Sequence, residues 1–144
     1  MPTRGRARHA LLDTSAAVAL AVEDHVHHSA TVEWLRGRQL GLAGHAAFET
    51  FSVLTRLPPP ARRAPSVVAR LLATNFPASR FLSREGSQAV LDELARGEIA
   101  GGAVYDALVG AAAREHDAAL VTHDRRALDT YRVLGVDVEL IPTG

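Results

Sequence analysis

Short apolar runs alternate along this chain with longer stretches in which apolar residues recur every three or four positions. The short runs are five or six residues long and are bounded by polar or small residues. That length and those borders are typical of strands buried in a sheet. The predicted strands lie at 9–13, 40–44, 79–83, 118–122 and 136–141.

The stretches between these runs carry the helical pattern, which is clearest in the last one, where Leu128, Tyr131 and Leu134 share one apolar face. The predicted helices lie at 15–23, 28–38, 45–57, 65–76, 87–97, 102–116 and 125–135. Because strands and helices alternate, the connections are crossovers, and the fold class is α/β with a mainly parallel sheet covered by helices on both faces. The prolines within 57–65 must end the helix before them.

Length and composition indicate how many domains the chain forms and whether it contains a membrane segment. A chain of 144 residues that is 47% hydrophobic suits a single domain over 1–144, with residues 1–8 as a flexible extension. The arginines of this extension either contact a nucleic-acid backbone or lie in a disordered tail. No apolar run is long enough for a membrane span or a signal peptide, so we expect a soluble, cytoplasmic protein.

Charge and cysteine content bear on which partners and which metal ligands are possible. The sixteen basic residues are all arginines and balance sixteen acidic ones, so net charge neither requires nor excludes a nucleic-acid partner. The absence of cysteine excludes disulfides and thiolate metal sites. Any metal must therefore be held by oxygen or imidazole ligands.

Four carboxylates stand out once the strands are placed. Asp13 follows the first predicted strand and Asp124 the fourth, so both belong at the carboxyl edge of the sheet, where open α/β folds bind their ligands. Glu49 and Asp106 lie in the first turns of two helices. Glu49 falls near the same edge, and Asp106 reaches it only if its helix leans over the strand ends.

Each of these acids also has a purely structural interpretation. Asp13 and Asp124 can cap the helices that follow them, and Glu49 can be a solvated first-turn acid. Asp106 can be an exposed acid near a helix N-terminus, but the positions that share its face, Gly102 and Val109 among them, are all nonpolar. A buried carboxylate on such a face is costly unless a cation pairs with it.

The ordered set of motifs resembles the PIN-domain family, specifically its VapC toxin branch. The motifs are "LLDTS" at 11–15, a Glu before "SVLTRL" at 52–57, "GGAVYDALVGAAA" at 101–113 and "LVTHD" at 120–124, and the resemblance spans residues 10–141. It implies a PIN-like α/β/α sandwich around a parallel five-stranded sheet of order 3-2-1-4-5, in which the first and fourth strands are neighbours.

The same resemblance implies an activity, a metal-dependent endoribonuclease. Its acidic quartet corresponds to Asp13, Glu49, Asp106 and Asp124, which would act in catalysis with Mg²⁺ or Mn²⁺ held mainly by the three aspartates and by Glu49 directly or through water. Ser15 and Thr122 resemble supporting polar positions, although turn and cap hydroxyls explain them equally well. A further acidic position has no clear counterpart, since Asp129 is expected to face solvent. The implied partners are an RNA substrate, a small VapB-like antitoxin and a second copy of the chain.

Alternatives from other classes stay open. The histidines of "EDHVHHS" at 23–29, with His123, suggest an imidazole metal site or an HD-type phosphohydrolase, against a plain solvated helix start. A receiver domain shares the acidic sheet edge but needs a lysine, which this chain lacks. A non-catalytic protein that kept the scaffold is the remaining alternative. The helices at 45–57 and 65–76 either offer a groove to an antitoxin or pack as core.

Overall fold

The strands and helices of the computed structural model follow the alternation that the sequence predicts, and the structure describes residues 7–143. The strands are β1 (His9–Leu12), β2 (Gln39–Leu42), β3 (Ala119–Thr122) and β4 (Val138–Leu140). The helices are α1 (Thr14–Ala21), α2 (His28–Leu35), α3 (Ala46–Thr55), α4 (Pro65–Asn75), α5 (Arg84–Arg96), α6 (Ala103–Glu115) and α7 (Leu128–Val133), with a 3-10 turn at Arg125–Ala127 before α7. The predicted extension over 1–8 falls mostly on residues 1–6, which lie outside the described part of the chain.

All four strands are parallel and are ordered β2-β1-β3-β4. Alternate residues of β1 point to opposite faces: Ala10 and Leu12 join one buried cluster and Leu11 joins the other. The first cluster includes residues of α1 and α2, and the second includes residues of α6 and α7. The predicted parallel α/β arrangement with helices on both faces is therefore confirmed.

The prediction of a fifth strand over 79–83 is wrong, because this segment makes only one isolated bridge, between Ala43 and Arg80. It does run beside β2, since Ala78 N donates to Leu40 O and Arg80 N to Leu42 O. The next ladder bond is replaced: Leu42 N donates 2.8 Å to the hydroxyl of Ser79 instead of to a backbone carbonyl. A serine side chain thus takes the place of the main-chain acceptor that a regular strand would supply. The sheet of the described residues therefore has four strands.

Helix boundaries follow the sequence signals closely. Helix α3 ends at Thr55, just before the prolines, and α4 begins on Pro65, which has no N–H to lose in a first turn. Helices α3 and α4 pack against each other, and each buries part of its surface: Ala46, Thr50 and Leu54 of α3 are buried, and so is Val68 of α4. None of the helices between residues 7 and 143 has the length and apolar character needed to cross a bilayer.

A buried ion pair connects the turn between α2 and β2 to the edge strand β4. Arg38 donates two hydrogen bonds of 2.8 Å to the two carboxylate oxygens of Glu139. The indole N–H of Trp34 donates to the same carboxylate at 2.9 Å. Because both charges are largely out of water, removing either partner would leave the other unpaired at high cost.

Candidate active site

The four carboxylates predicted from the sequence line one cavity at the carboxyl edge of the sheet. Asp13 follows β1 directly and Asp124 comes two residues after β3, and these two strands are neighbours. Glu49 and Asp106 lie in the first turns of α3 and α6. The cavity has a volume of about 290 Å³ and is lined by Asp13, Thr14, Ser15, Glu49, Asp106, Val109, Asp124 and Tyr131.

Asp13 is the most buried of the four, with 4% of its surface exposed, and its carboxylate accepts four hydrogen bonds. Oδ1 accepts from the Ser15 hydroxyl at 2.6 Å and from Ala16 N at 3.1 Å. Oδ2 accepts from the hydroxyls of Thr122 and of Tyr131, the latter at 2.9 Å. Burial raises the pKa of Asp13 above its ordinary value, and the four donors oppose that rise. The bond to Ala16 also caps α1, so the capping role and the site role coexist.

Ser15 and Thr122 connect the ends of β1 and β3 through their hydroxyls. Each hydroxyl donates to Asp13 and accepts a backbone N–H from the loop after β3: Ser15 Oγ accepts from His123 N, and Thr122 Oγ1 from Asp124 N, both at 2.9 Å. A hydroxyl can donate one bond and accept others, which is what this position requires. These two side chains therefore fix the loop that carries Asp124 relative to Asp13.

Glu49 and Asp124 are each oriented by one hydrogen bond. The Thr14 hydroxyl donates to Glu49 Oε1 at 3.1 Å, which ties α3 to the start of α1. Asp124 Oδ1 accepts from Arg126 N at 2.9 Å and caps the 3-10 turn. In both carboxylates the other oxygen accepts no hydrogen bond from residues 7–143.

Asp106 differs from the other three because its carboxylate has no hydrogen-bond or ion-pair partner among residues 7–143. Partial burial raises its pKa to about 6, and the negative charges of Asp124, Asp13 and Glu49 add to that rise. No basic side chain lines the cavity to offset this charge. The site therefore concentrates negative charge that the described chain does not neutralise.

The donor set fits a hydrated, hard divalent cation. Every polar side-chain atom of the lining is an oxygen, which suits Mg²⁺ and Mn²⁺. Within residues 7–143 no three acids or histidines are arranged so as to enclose a metal ion. Mg²⁺ does not need such an enclosure, since it keeps several waters and binds through one or two carboxylates together with substrate oxygens.

The histidine cluster forms a separate stack. The His27 and His123 rings are stacked with centroids 5.0 Å apart, and His25 lies 5.6 Å from His27. His28 bonds through Nδ1 to Ala19 O at 2.9 Å. These rings are half-buried rather than fully solvated, and the described residues include no imidazole metal group. The parallel sheet also excludes an all-helical HD-type domain.

Tyr131 and Thr14 belong to the site but were not among the predicted site residues. The sequence pattern places Tyr131 on the apolar face of the last helix, which is correct for its ring but does not reveal where its hydroxyl points. A tyrosine on a buried face needs a hydrogen-bond partner, and that need was the available signal. Asp129, which the sequence analysis considered as a further acidic position, faces solvent as expected. Its Oδ1 lies 3.7 Å from Arg132 Nη1.

Removing the carboxyl charge of Asp106 should change how stability depends on pH. An aspartate with the ordinary pKa of 3.8 releases its proton in the unfolded chain well before Asp106 does in the fold, where its pKa is about 6. The free energy of unfolding therefore falls as pH rises through this window, and the loss is complete above about pH 7.

In chelator, we expect Asp106→Asn to become more stable than the unsubstituted protein as pH rises from 4 to 8. The gain is on the order of 1 kcal/mol after allowing for solvent screening of a half-buried group, or about 2–4 °C in Tm. Thermal unfolding followed by circular dichroism at several pH values measures it. If Tm changed with pH in the same way for the two proteins, the charge of Asp106 would not be destabilised by burial and by the neighbouring acids.

Comparison with known proteins agrees with this geometry. A model of the PIN domain family matches residues 10–133. Ribonuclease VapC27 of Mycobacterium tuberculosis (strain ATCC 25618 / H37Rv) is 51% identical over 127 residues, which cover 88% of this chain and 93% of that protein. Ribonuclease VapC40 of Mycobacterium tuberculosis (strain CDC 1551 / Oshkosh) is 46% identical over 131 residues, which cover 90% of this chain and 96% of that protein. The resemblance seen in the sequence motifs is confirmed, and this chain belongs to the PIN-domain family.

Proposed function

We propose that this chain is a Mg²⁺- or Mn²⁺-dependent endoribonuclease, the toxin of a VapBC-type toxin–antitoxin pair, and that it hydrolyses phosphodiester bonds in structured RNA. The observation that carries the proposal is the single cavity lined by four carboxylates and by no basic side chain. The names of the two similar proteins, both ribonucleases, support the same reaction class. RNA and an antitoxin are both made in the cytoplasm, which is where such a protein acts.

Asp13, Asp106 and Asp124 hold the metal, and Glu49 contributes directly or through water. The bound ion supplies positive charge that orients a water for in-line attack and stabilises the charge developing on the phosphodiester. The protein's own task is to keep its carboxylates ionised and oriented. Hydroxyl donors do this for Asp13, and the Thr14 hydroxyl orients Glu49.

An antitoxin peptide is the proposed occupant of a groove of about 380 Å³ between α1, α2 and α4. Leu20, Val32 and Leu71 supply apolar walls, and Arg63 lies in the same lining. The Nη1 nitrogen of Arg63 is buried and has no acceptor within the described chain. An unpaired buried donor costs about 1–3 kcal/mol, so a ligand that brings a carboxylate together with apolar side chains gains from this groove.

A second copy of the chain is the proposed partner of an aromatic patch formed by His45, Phe48, Phe81 and Tyr105. Phe48, Phe81 and Tyr105 are 64%, 49% and 51% exposed, and the Phe48 and Phe81 rings have centroids 6.1 Å apart. His45 stacks on Tyr105 at 5.1 Å and so completes the row. Contiguous exposed apolar surface of this kind is typical of an interface.

Purified protein should cleave structured RNA with Mg²⁺ or Mn²⁺ and not in chelator. Asp106→Asn should lower the rate at least about 100-fold, because it removes a charge that faces the metal and the scissile phosphate. Asp129→Asn makes the same chemical change on an exposed side chain and should keep the rate near that of the unsubstituted protein. Equal cleavage by the Asp106 and Asp129 variants would point to a contaminating nuclease or to a different site.

Coexpression with the product of the small adjacent reading frame tests the antitoxin groove. The two proteins should copurify, and Arg63→Leu should weaken the complex at least about tenfold in titration calorimetry, since truncating one partner of a buried charge pair is costly. The matched control is Arg62→Leu, because the Arg62 side chain is exposed and bonds only to Leu57 O at 2.9 Å. Equal affinities for the two variants would place the antitoxin elsewhere.

Light scattering after size-exclusion chromatography tests the aromatic patch. The unsubstituted protein should be a dimer and Phe48→Glu a monomer, because a charge in the centre of an apolar contact loses its water without gaining a partner. Val26→Glu places the same charge on an exposed residue outside the patch and should leave the dimer intact. A monomeric unsubstituted protein whose RNA affinity falls with Phe48→Glu would instead show that the patch stacks on RNA bases.

A further inference from the structure

Tyr131 is the largest fully buried side chain of the described residues, with 1% of its surface exposed. It lies on α7, and its hydroxyl donates to Asp13 Oδ2 at 2.9 Å. Its side chain also lines the acidic cavity. It is thus the point at which the last helix touches the most buried carboxylate of the site.

The ring of Tyr131 packs closely against Gly110 of α6. A Cβ atom at Gly110 would lie 3.0 Å from Tyr131 Cδ1 and 3.1 Å from a methyl carbon of Val136, which is tighter than ordinary contact. A side chain at this position would therefore push the ring of Tyr131 or the methyl group of Val136 away by a few tenths of an ångström. A phenylalanine ring would fill the same space, so the packing explains the ring and leaves the hydroxyl to be explained by Asp13.

The hydroxyl completes the fixation of the Asp13 carboxylate. Oδ2 accepts from Thr122 at the end of β3 and from Tyr131 on α7, and Oδ1 is held from the α1 side. Donors on both oxygens, coming from three different elements, stop the carboxylate from rotating about its Cβ–Cγ bond. Burial and the charge of Asp13 raise the pKa of Tyr131, so its hydroxyl keeps its proton and remains a donor.

We infer that Tyr131 is a positioning residue for the metal site, which acts through its hydroxyl by holding Asp13 in the orientation that binds the divalent cation. The inference rests on the proposed function, because it needs Asp13 to be a metal ligand. Carboxylates that bind metals are commonly fixed by hydrogen bonds from residues behind them, and loss of such a partner costs about 10–100-fold in affinity or activity.

Titration calorimetry of the full chain with Mn²⁺ alone tests this inference. Tyr131→Phe should weaken Mn²⁺ binding about 10–100-fold. Ser66→Ala also removes one side-chain hydroxyl, but Ser66 is an exposed residue of α4 that lies outside the acidic cavity and makes no side-chain hydrogen bond within residues 7–143, so Mn²⁺ affinity should not change. In RNA cleavage, Tyr131→Phe should need about 10–100-fold more Mn²⁺ for half-maximal rate and approach the unsubstituted rate at saturating Mn²⁺, which a general loss of structure would not produce.

Two further variants test whether the Tyr131 hydroxyl acts through Asp13. In an Asp13→Asn background, Tyr131→Phe should cause no additional loss of Mn²⁺ affinity, because the hydroxyl acts only through the Asp13 carboxylate. Gly110→Ala keeps the hydroxyl but crowds the ring, and it should weaken Mn²⁺ binding as well. This variant serves as an independent test if the phenylalanine protein does not fold.

The outcomes separate this inference from the proposed function. If the unsubstituted protein and Tyr131→Phe bind Mn²⁺ equally, the inference is overturned and the metal site stands. Tighter binding by Tyr131→Phe also overturns it, since the hydroxyl would then be competing with the ion for Asp13. Absence of Mn²⁺ binding by the unsubstituted protein overturns both.

Discussion

The site depends on one electrostatic constraint, which is that the carboxylate of Asp13 is almost completely removed from water. A buried carboxylate without partners would take up a proton rather than stay charged. Here four donors surround it, from the first turn of α1, from β3 and from α7. The ends of β1 and β3 are thereby held together with the middle of α7 around a single charged group.

Asp106 shows the opposite arrangement. Asp13, Glu49 and Asp124 each accept hydrogen bonds from the chain, whereas Asp106 accepts none from residues 7–143 and faces the other three acids. Capping and ligand binding are therefore compatible roles: the hydrogen bonds that end the first strand and begin the 3-10 turn also orient the oxygens. The carboxylate that the fold leaves without a partner is one of those that we propose hold the metal ion.

Much of this arrangement could be predicted from the sequence, because it follows from where strands end. Asp13 comes directly after a buried apolar run and Asp124 two residues after another, and parallel strands bring such residues to one edge. The position of Asp106 was less secure, since it depends on how α6 lies across the sheet, which periodicity does not encode. The hydroxyl of Tyr131 escaped prediction for a related reason: a helical pattern reports the direction of a ring and not the partner of its polar tip.

The interrupted ladder at Ser79 also has a consequence for how the molecule meets its neighbours. Beside β2, the C=O group of Leu40, both backbone groups of Leu42 and the N–H group of Gly44 are hydrogen-bonded to Ala78, Ser79 and Arg80. A foreign strand would have to displace these bonds before it could pair with this border of the sheet. Two copies that associate through the aromatic patch, as we propose, would therefore meet with their β2 borders already occupied by their own chains.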